Sequence, residues 1–485
     1  MGGSDAAPAI VWFRRDLRLA DNPALAAAQA SGAPVLPLYV HDEALEGRPI
    51  GGAARWWLDR SLRALDADLG AKGARLVVRR GEARTELIRL VEETGAQAVF
   101  WNRLPEPAPA ARDTVLRDEL DRRGLHGAEF DAALLAAPGS ILTGAGGPYR
   151  VFTPFSRALR SSLPAFRPIP APKRLASPPA WPDGLKAGDL ALYPGRPDWA
   201  SGFDWTPGEA GAHARLDDFL DRGLAGYVRG RDTPGVDGTS RLSPHLHWGE
   251  ISPARVYAAA GGAAAADGAE TAADKLQGEL AWREFCAQLL HHFPTLPTKS
   301  FRPEFDGFPW REDADGLAAW SEGRTGYPIV DAGMRQLWAT GWMHNRVRMI
   351  VASFLVKDLR IDWRRGEAWF WDTLVDADQA NNAANWQWVA GSGADAAPYF
   401  RVFNPVLQGR KFDADGAYVR RWVPELADLP DRWLHAPWEA PPEVREQAGV
   451  TLGEAYPRPM VDHGAARRAA LDALKTLRLE PDPAT

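Results

Sequence analysis

Short apolar runs alternate with amphipathic stretches from Ala9 to about Phe130. The runs at 10–13, 35–40, 75–78 and 98–101 predict four strands, with helices filling the gaps. Asn22 followed by Pro23 predicts a capped helix start, because the Asn side chain satisfies an orphan N–H and proline fixes a helical φ. Trp56, Trp57 and Leu58 open the apolar face of another helix. This alternation predicts an α/β domain over residues 1–133, a parallel sheet with flanking helices. No G-x-G-x-x-G follows the first run, so a dinucleotide fingerprint is not expected there.

Residues 134–207 shift to Pro, Gly, Ala and Ser, with runs such as Pro168-Ile169-Pro170-Ala171-Pro172, and read as an inter-domain connector. Residues 208–485 read as an all-α domain, with long apolar segments such as 333–359 and no run of alternating strands. The alanines at 263–266 follow Gly261-Gly262 and read as a loop or helix end.

Composition narrows the class. Of 485 residues, 45% are hydrophobic and 25% charged, the balance of a folded globular chain too long for one core. The 21 Trp against 9 Tyr ask for a reason, and core packing alone is one that serves. One cysteine, Cys286, excludes an intramolecular disulfide and any Cys-based metal cage, and suits a reducing compartment. The first residues lack a signal-peptide layout, so the mature chain is expected to begin at Met1, in the cytoplasm. No apolar window approaches the roughly 20 residues of a membrane span, so no membrane partner is expected. The net charge of −6 opposes DNA binding unless Arg231, Arg346, Arg348, Arg401, Arg410, Lys411, Arg420 and Arg421 share a face.

Four segments carry candidate chemistry. Tyr227 to Asp232 leads to Thr239-Ser240-Arg241-Leu242-Ser243-Pro244, whose hydroxyls and helix-start N–H groups suit a phosphate, although an ordinary capped helix start accounts for the same residues. On a predicted helix, Glu279, Trp282 and Arg283 share a face, which serves either a salt-bridged surface or the stacking of a base. Within Gly341–Met349 the same geometry groups Asn345, Arg348 and Met349, and a pocket wall is the better reading. In Asp376–Trp388 the carboxylates of Asp376 and Asp378 lack the Gly and Glu of a calcium loop, while Asn382 and Trp386 stand one turn apart. His245, His247, His291, His292 and His344 form no H-E-x-x-H pattern, so no metal is expected.

Together with Val11-Trp12-Phe13-Arg14-Arg15-Asp16-Leu17-Arg18, Thr325-Gly326-Tyr327-Pro328-Ile329-Val330-Asp331-Ala332 and Asn385-Trp386-Gln387-Trp388, these segments resemble the photolyase and cryptochrome family as far as about Asp462. The resemblance implies an α/β antenna domain followed by an all-α FAD-binding domain. It implies cofactor contacts from Tyr227, Thr239, Ser240, Arg241, Leu242, Ser243, Glu279, Arg283, Asn345, Arg348, Asp376, Ala377, Asp378 and Asn382, with Asn382 facing the reactive flavin nitrogen. The activity it implies is light-driven repair of cyclobutane pyrimidine dimers, with Glu279, Asn345, Met349 and Asn382 expected as catalytic residues. DNA, double- or single-stranded, would be held by Arg231, Glu279, Trp282, Arg346, Met349, Trp388 and Arg401, the lesion flipped out and stacked on Trp282 and Trp388. Trp386, Trp363 and Trp310 match the family's electron wire, and a monomer is expected.

Some members bind a folate antenna through an Asn-Glu pair where this chain has Ala108 and Pro109. Arg103-Leu104-Pro105-Glu106-Pro107 and Arg55-Trp56-Trp57 look closer to the branch adjoining plant cryptochromes, so methenyltetrahydrofolate and 8-hydroxy-deazaflavin both stay open as the second chromophore. A cryptochrome-type blue-light receptor and a non-photochemical flavoprotein oxidoreductase are the alternatives.

Overall fold

A computed structural model describes residues 7–43, 47–193, 195–196, 198–396 and 400–479. Five parallel strands, β1 (Ala9–Phe13), β2 (Val35–His41), β3 (Val77–Arg80), β4 (Ala98–Asn102) and β5 (His126–Phe130), form one sheet in the order β3-β2-β1-β4-β5. Central β1 is buried on both faces: Ala9, Val11 and Phe13 join one core and Ile10 and Trp12 another. Burial on both sides is why it reads as a continuous apolar run.

Two expectations shift here. The third strand lies two residues later than predicted, because Arg79 and Arg80 continue it toward solvent while pairing with Glu93 and with the Leu190 carbonyl. The fifth strand was not predicted; it is a partly exposed edge, His-Gly-Ala-Glu-Phe, with no apolar run to betray it. Helix Pro23–Ala30 starts as expected, the Asn22 side chain accepting from the Leu25 N–H at 3.1 Å.

The remainder is mostly helical. Helix Phe152–Ser162, within the stretch read as a connector, packs Phe155 and Leu159 against Ala281, Phe285 and Leu289 of helix Glu270–His292. Residues 263–266 form the last turn of helix Pro253–Asp267, which the left-handed Gly268 (φ 67°) ends, so the helix end expected there is found and the loop is not: alanine is the best helix former. Gly341 likewise caps helix Pro328–Thr340 in the left-handed region (φ 68°), and the helix that carries Asn345, Arg348 and Met349 begins at Asn345. Buried Glu250 ties the two halves, accepting from Trp57 Nε1 at 2.9 Å and the Gly208 N–H at 2.7 Å and contacting His245. Among the described residues no helix is long and apolar enough to cross a membrane.

Candidate active site

A cavity of about 500 Å³ opens within the helical half, and four parts of the chain converge on it. Helix Glu270–His292 contributes Glu279, Trp282 and Arg283 from one face. Helix Asn345–Ser353, its first turn capped by the His344 side chain, contributes Asn345, Arg346, Arg348 and Met349. Asp376 and Ala377 precede helix Gln379–Ala390, whose N-cap Asp378 accepts from the Asn381 N–H at 2.8 Å; that helix presents Asn382, Trp386 and Trp388. Tyr227, Arg231, Ser240, Leu242 and Ser243 complete the wall.

Three of the residues expected to contact cofactor or DNA lie elsewhere. Thr239 and Arg241 line a neighbouring hollow of about 40 Å³ that shares Trp342 with the main cavity. Arg241 has a left-handed backbone (φ 50°). Arg401 lines a third hollow, which shares Trp388.

The wall is strongly charged and largely self-compensated. Arg348 binds Asp376 at 2.8 Å and the Met343 carbonyl at 2.8 Å, leaving Asp376 Oδ1 buried with no donor among the described residues. Burial opposes ionisation of Asp378, but His247, Arg15 and Arg283 together hold its pKa well below the usual carboxylate range. Burial raises the pKa of Glu279, against Arg231, whose Nη2 stands 2.7 Å away. Next to this face Glu284 is fully buried, and burial pushes its carboxyl up to about 7 although Arg283 and the N–H groups of Leu135 and Ala136 favour the charged form.

Aromatic groups line the same cavity. Trp282 stacks on Phe152 with centroids 3.7 Å apart and planes 5° from parallel, which covers one ring face while the residue still lines the cavity. Trp386 lines the cavity, Trp363 is fully buried in the same core as Trp386, and Trp310 is half-buried against that core. Gly366, one turn after Trp363, leaves no room for a Cβ against the Trp386 ring. The indole N–H groups of all three are buried without an acceptor among the described residues, whereas neighbouring Trp320 donates to the Val351 carbonyl at 2.9 Å. Buried indoles usually find such a partner.

Sequence reasoning missed Phe152, Asp232, Glu367 and Arg48. Asp232 holds Arg346 at 2.6 Å, and Glu367 joins Arg48 to Asn382. Asp232 lies in a quoted segment, and its opposite charge was the available signal; Arg48 and Glu367 are 319 positions apart and no motif joins them.

Residues 9–173 match the family model described as DNA photolyase, and residues 276–476 match the FAD binding domain of DNA photolyase. The chain is similar to a deoxyribodipyrimidine photo-lyase of Agrobacterium fabrum, at 54% identity over 97% of this chain and 98% of that protein. It is similar to cryptochrome-1 of Arabidopsis thaliana, at 37% identity over 96% of this chain and 70% of that protein. The crystal structure of a bacterial class III photolyase from Agrobacterium tumefaciens superposes with a TM-score of 0.96 and 53% identity, covering 99% of both chains.

Proposed function

The chain belongs to the DNA photolyase family, and from that premise we propose that it is a deoxyribodipyrimidine photo-lyase that uses light to split cyclobutane pyrimidine dimers in DNA. One observation carries the reading: a single cavity gathers an acid, an amide, a thioether and two indoles (Glu279, Asn345, Met349, Trp282 and Trp388) beside the hydroxyls and cations that suit a dinucleotide.

The donor set fits FAD. Tyr227, Ser240 and Ser243 offer hydroxyls, Arg283 and Arg348 offer cations, and the orphaned Asp376 Oδ1 asks for a donor that a ligand N–H or O–H supplies. Bound there, FAD supplies the light-driven electron that opens the dimer and recovers it afterwards. The chain's own side chains do the rest. Trp282, backed by Phe152, and Trp388 stack on the flipped lesion; Glu279 and Asn345 offer hydrogen bonds to its carbonyls; Arg231, Arg346 and Arg401 hold flanking phosphates. Trp386, Trp363 and Trp310 relay electrons toward the cavity.

A hollow of about 100 Å³ at the C-terminal ends of β1 and β2, lined by Arg14, Arg15, His41, Arg48, Arg55 and Trp248, supports a second, light-collecting chromophore of the folate or deazaflavin class. We read residues 1–133 as the antenna domain, 134–207 as connector and 208–485 as the catalytic domain, in a cytoplasmic monomer. Trp282 at the cavity favours repair over a purely signalling, cryptochrome-type role. The test is a dimer-bearing oligonucleotide incubated with purified protein under blue light and in the dark. Repair in the light arm alone supports the reading, and no repair by FAD-loaded protein in either arm rejects it.

A further inference from the structure

Glu367 sits at the edge of the site with its side chain only 4% exposed. It is held from two sides. Arg48, which follows β2, forks onto it, Nη1 to Oε2 at 2.9 Å and Nη2 to Oε1 at 2.5 Å. Asn382 donates its Nδ2 to Oε1 at 2.8 Å and to the Glu367 carbonyl at 3.0 Å. Arg48 is itself pinned: its guanidinium lies over the Trp371 ring, 3.6 Å from the centroid, and Trp371 Nε1 donates to the Pro49 carbonyl at 2.8 Å.

This chain of contacts decides which end of an amide faces the cavity. A carboxylate can only accept, so it claims the Asn382 NH2 and leaves the carbonyl oxygen as the group Asn382 offers inward. A protonated or amide group at 367 could donate instead, which would oppose this arrangement and leave the Glu367 carbonyl alone to hold the NH2. A bidentate guanidinium is what makes an ionised carboxylate tolerable at this depth.

We infer that Arg48, from the sheet domain, is a positioning residue for the cofactor site: by forking onto Glu367 it fixes the Asn382 amide with its oxygen toward the flavin. The inference rests on the reading that the cavity holds FAD with Asn382 beside its reactive ring nitrogen. An acceptor there favours the form of the ring that carries N–H at that nitrogen, and an NH2 group disfavours it.

The test uses holoprotein of the parent, Arg48→Gln and Glu367→Gln. A glutamine at 367 would turn its oxygen to Arg48 and its NH2 to Asn382, and a glutamine at 48 would release the Glu367 carboxylate from its fork, so both variants loosen the hold on the Asn382 amide. Each protein is partly photoreduced at one fixed pH, and the ratio of ring-protonated to anionic one-electron-reduced flavin is read from its absorption. Both variants should lower that ratio about tenfold, one unit in the ring proton's pKa, and the double variant should add nothing further, as for residues acting through one contact. A parental ratio in either FAD-loaded variant overturns the proposal. Should Arg48→Gln fail to hold FAD, Arg48→Met, which keeps an apolar stem against Trp371 but cannot donate to Glu367, is read in its place. A parent that binds no FAD rejects the functional reading instead, a distinct outcome.

Discussion

Arg231 Nη2 stands 2.7 Å from a Glu279 carboxylate oxygen, and both residues line the main cavity. The cation expected to grip DNA phosphate is thus engaged by the acid expected to meet the lesion. A phosphate that captures Arg231 strips Glu279 of the partner that favours its charged form, in a place where burial has already raised its pKa and nearby Asp232 raises it further. Binding of damaged DNA should therefore take up a proton, and affinity should fall as pH rises. Calorimetry in two buffers of different ionisation heat measures the uptake. Glu279→Gln should abolish it, and equal heats for the parent would refute the exchange.

Glu284 makes the fold itself pH-sensitive. Burial raises its carboxyl to about 7 in the native state, while the unfolded chain returns it to 4.5. Between those values the native state binds more protons than the unfolded one, so stability should decline as pH rises through the window, by about 3 kcal/mol in all. Urea unfolding across that range would show the decline, and Glu284→Gln, which still accepts from the Leu135 and Ala136 N–H groups, should flatten it.

If Trp386 is the first donor to the flavin, Trp386→Phe should abolish photoreduction of oxidised FAD, because a phenyl ring is far harder to oxidise than an indole. Repair after dithionite reduction should survive, since repair needs only flavin already reduced. Trp363→Phe and Trp310→Phe should give milder losses. Blue-light bleaching and dimer repair are measured on the same samples. Joint loss of FAD and repair would mean structural damage, whereas parental bleaching in FAD-loaded Trp386→Phe would remove this residue from the wire.

Arg346 is held by Asp232 at 2.6 Å, which adds a prediction absent from the motif alone. Arg346→Ala and Arg401→Ala should weaken binding to damaged and undamaged DNA alike, each lowering the salt slope by about one. Asp232→Asn should strengthen both. Trp282→Ala should cost roughly 1 to 3 kcal/mol on damaged DNA alone. Titrations of both DNAs at several salt concentrations separate the two patterns.

Residue spacing on one helix was the legible part of the site. Glu279, Trp282 and Arg283, or Asn345, Arg348 and Met349, are brought to the cavity by periodicity that a sequence displays. What the sequence could not display was pairing across the fold: Phe152 against Trp282, and Arg48 on Glu367 beneath Asn382. The buried strands showed as apolar runs, whereas edge strand β5, with intermediate burial and a Glu129 tied to Arg103, carried no such mark. At 263–266 the helix end was legible, while the loop alternative failed because the helix absorbs the two glycines that suggested a break.

The choice of lesion tests the central claim most directly. Repair of (6-4) photoproducts calls for a proton donor, which enzymes of that kind supply with a His pair on the helix where this chain has Asn345 and Met349. Purified, reduced protein should be given cyclobutane-dimer and (6-4) oligonucleotides under the same light, with dark controls. The account predicts light-dependent loss of the cyclobutane dimer and an untouched (6-4) product; robust (6-4) repair with an unaltered dimer would contradict it.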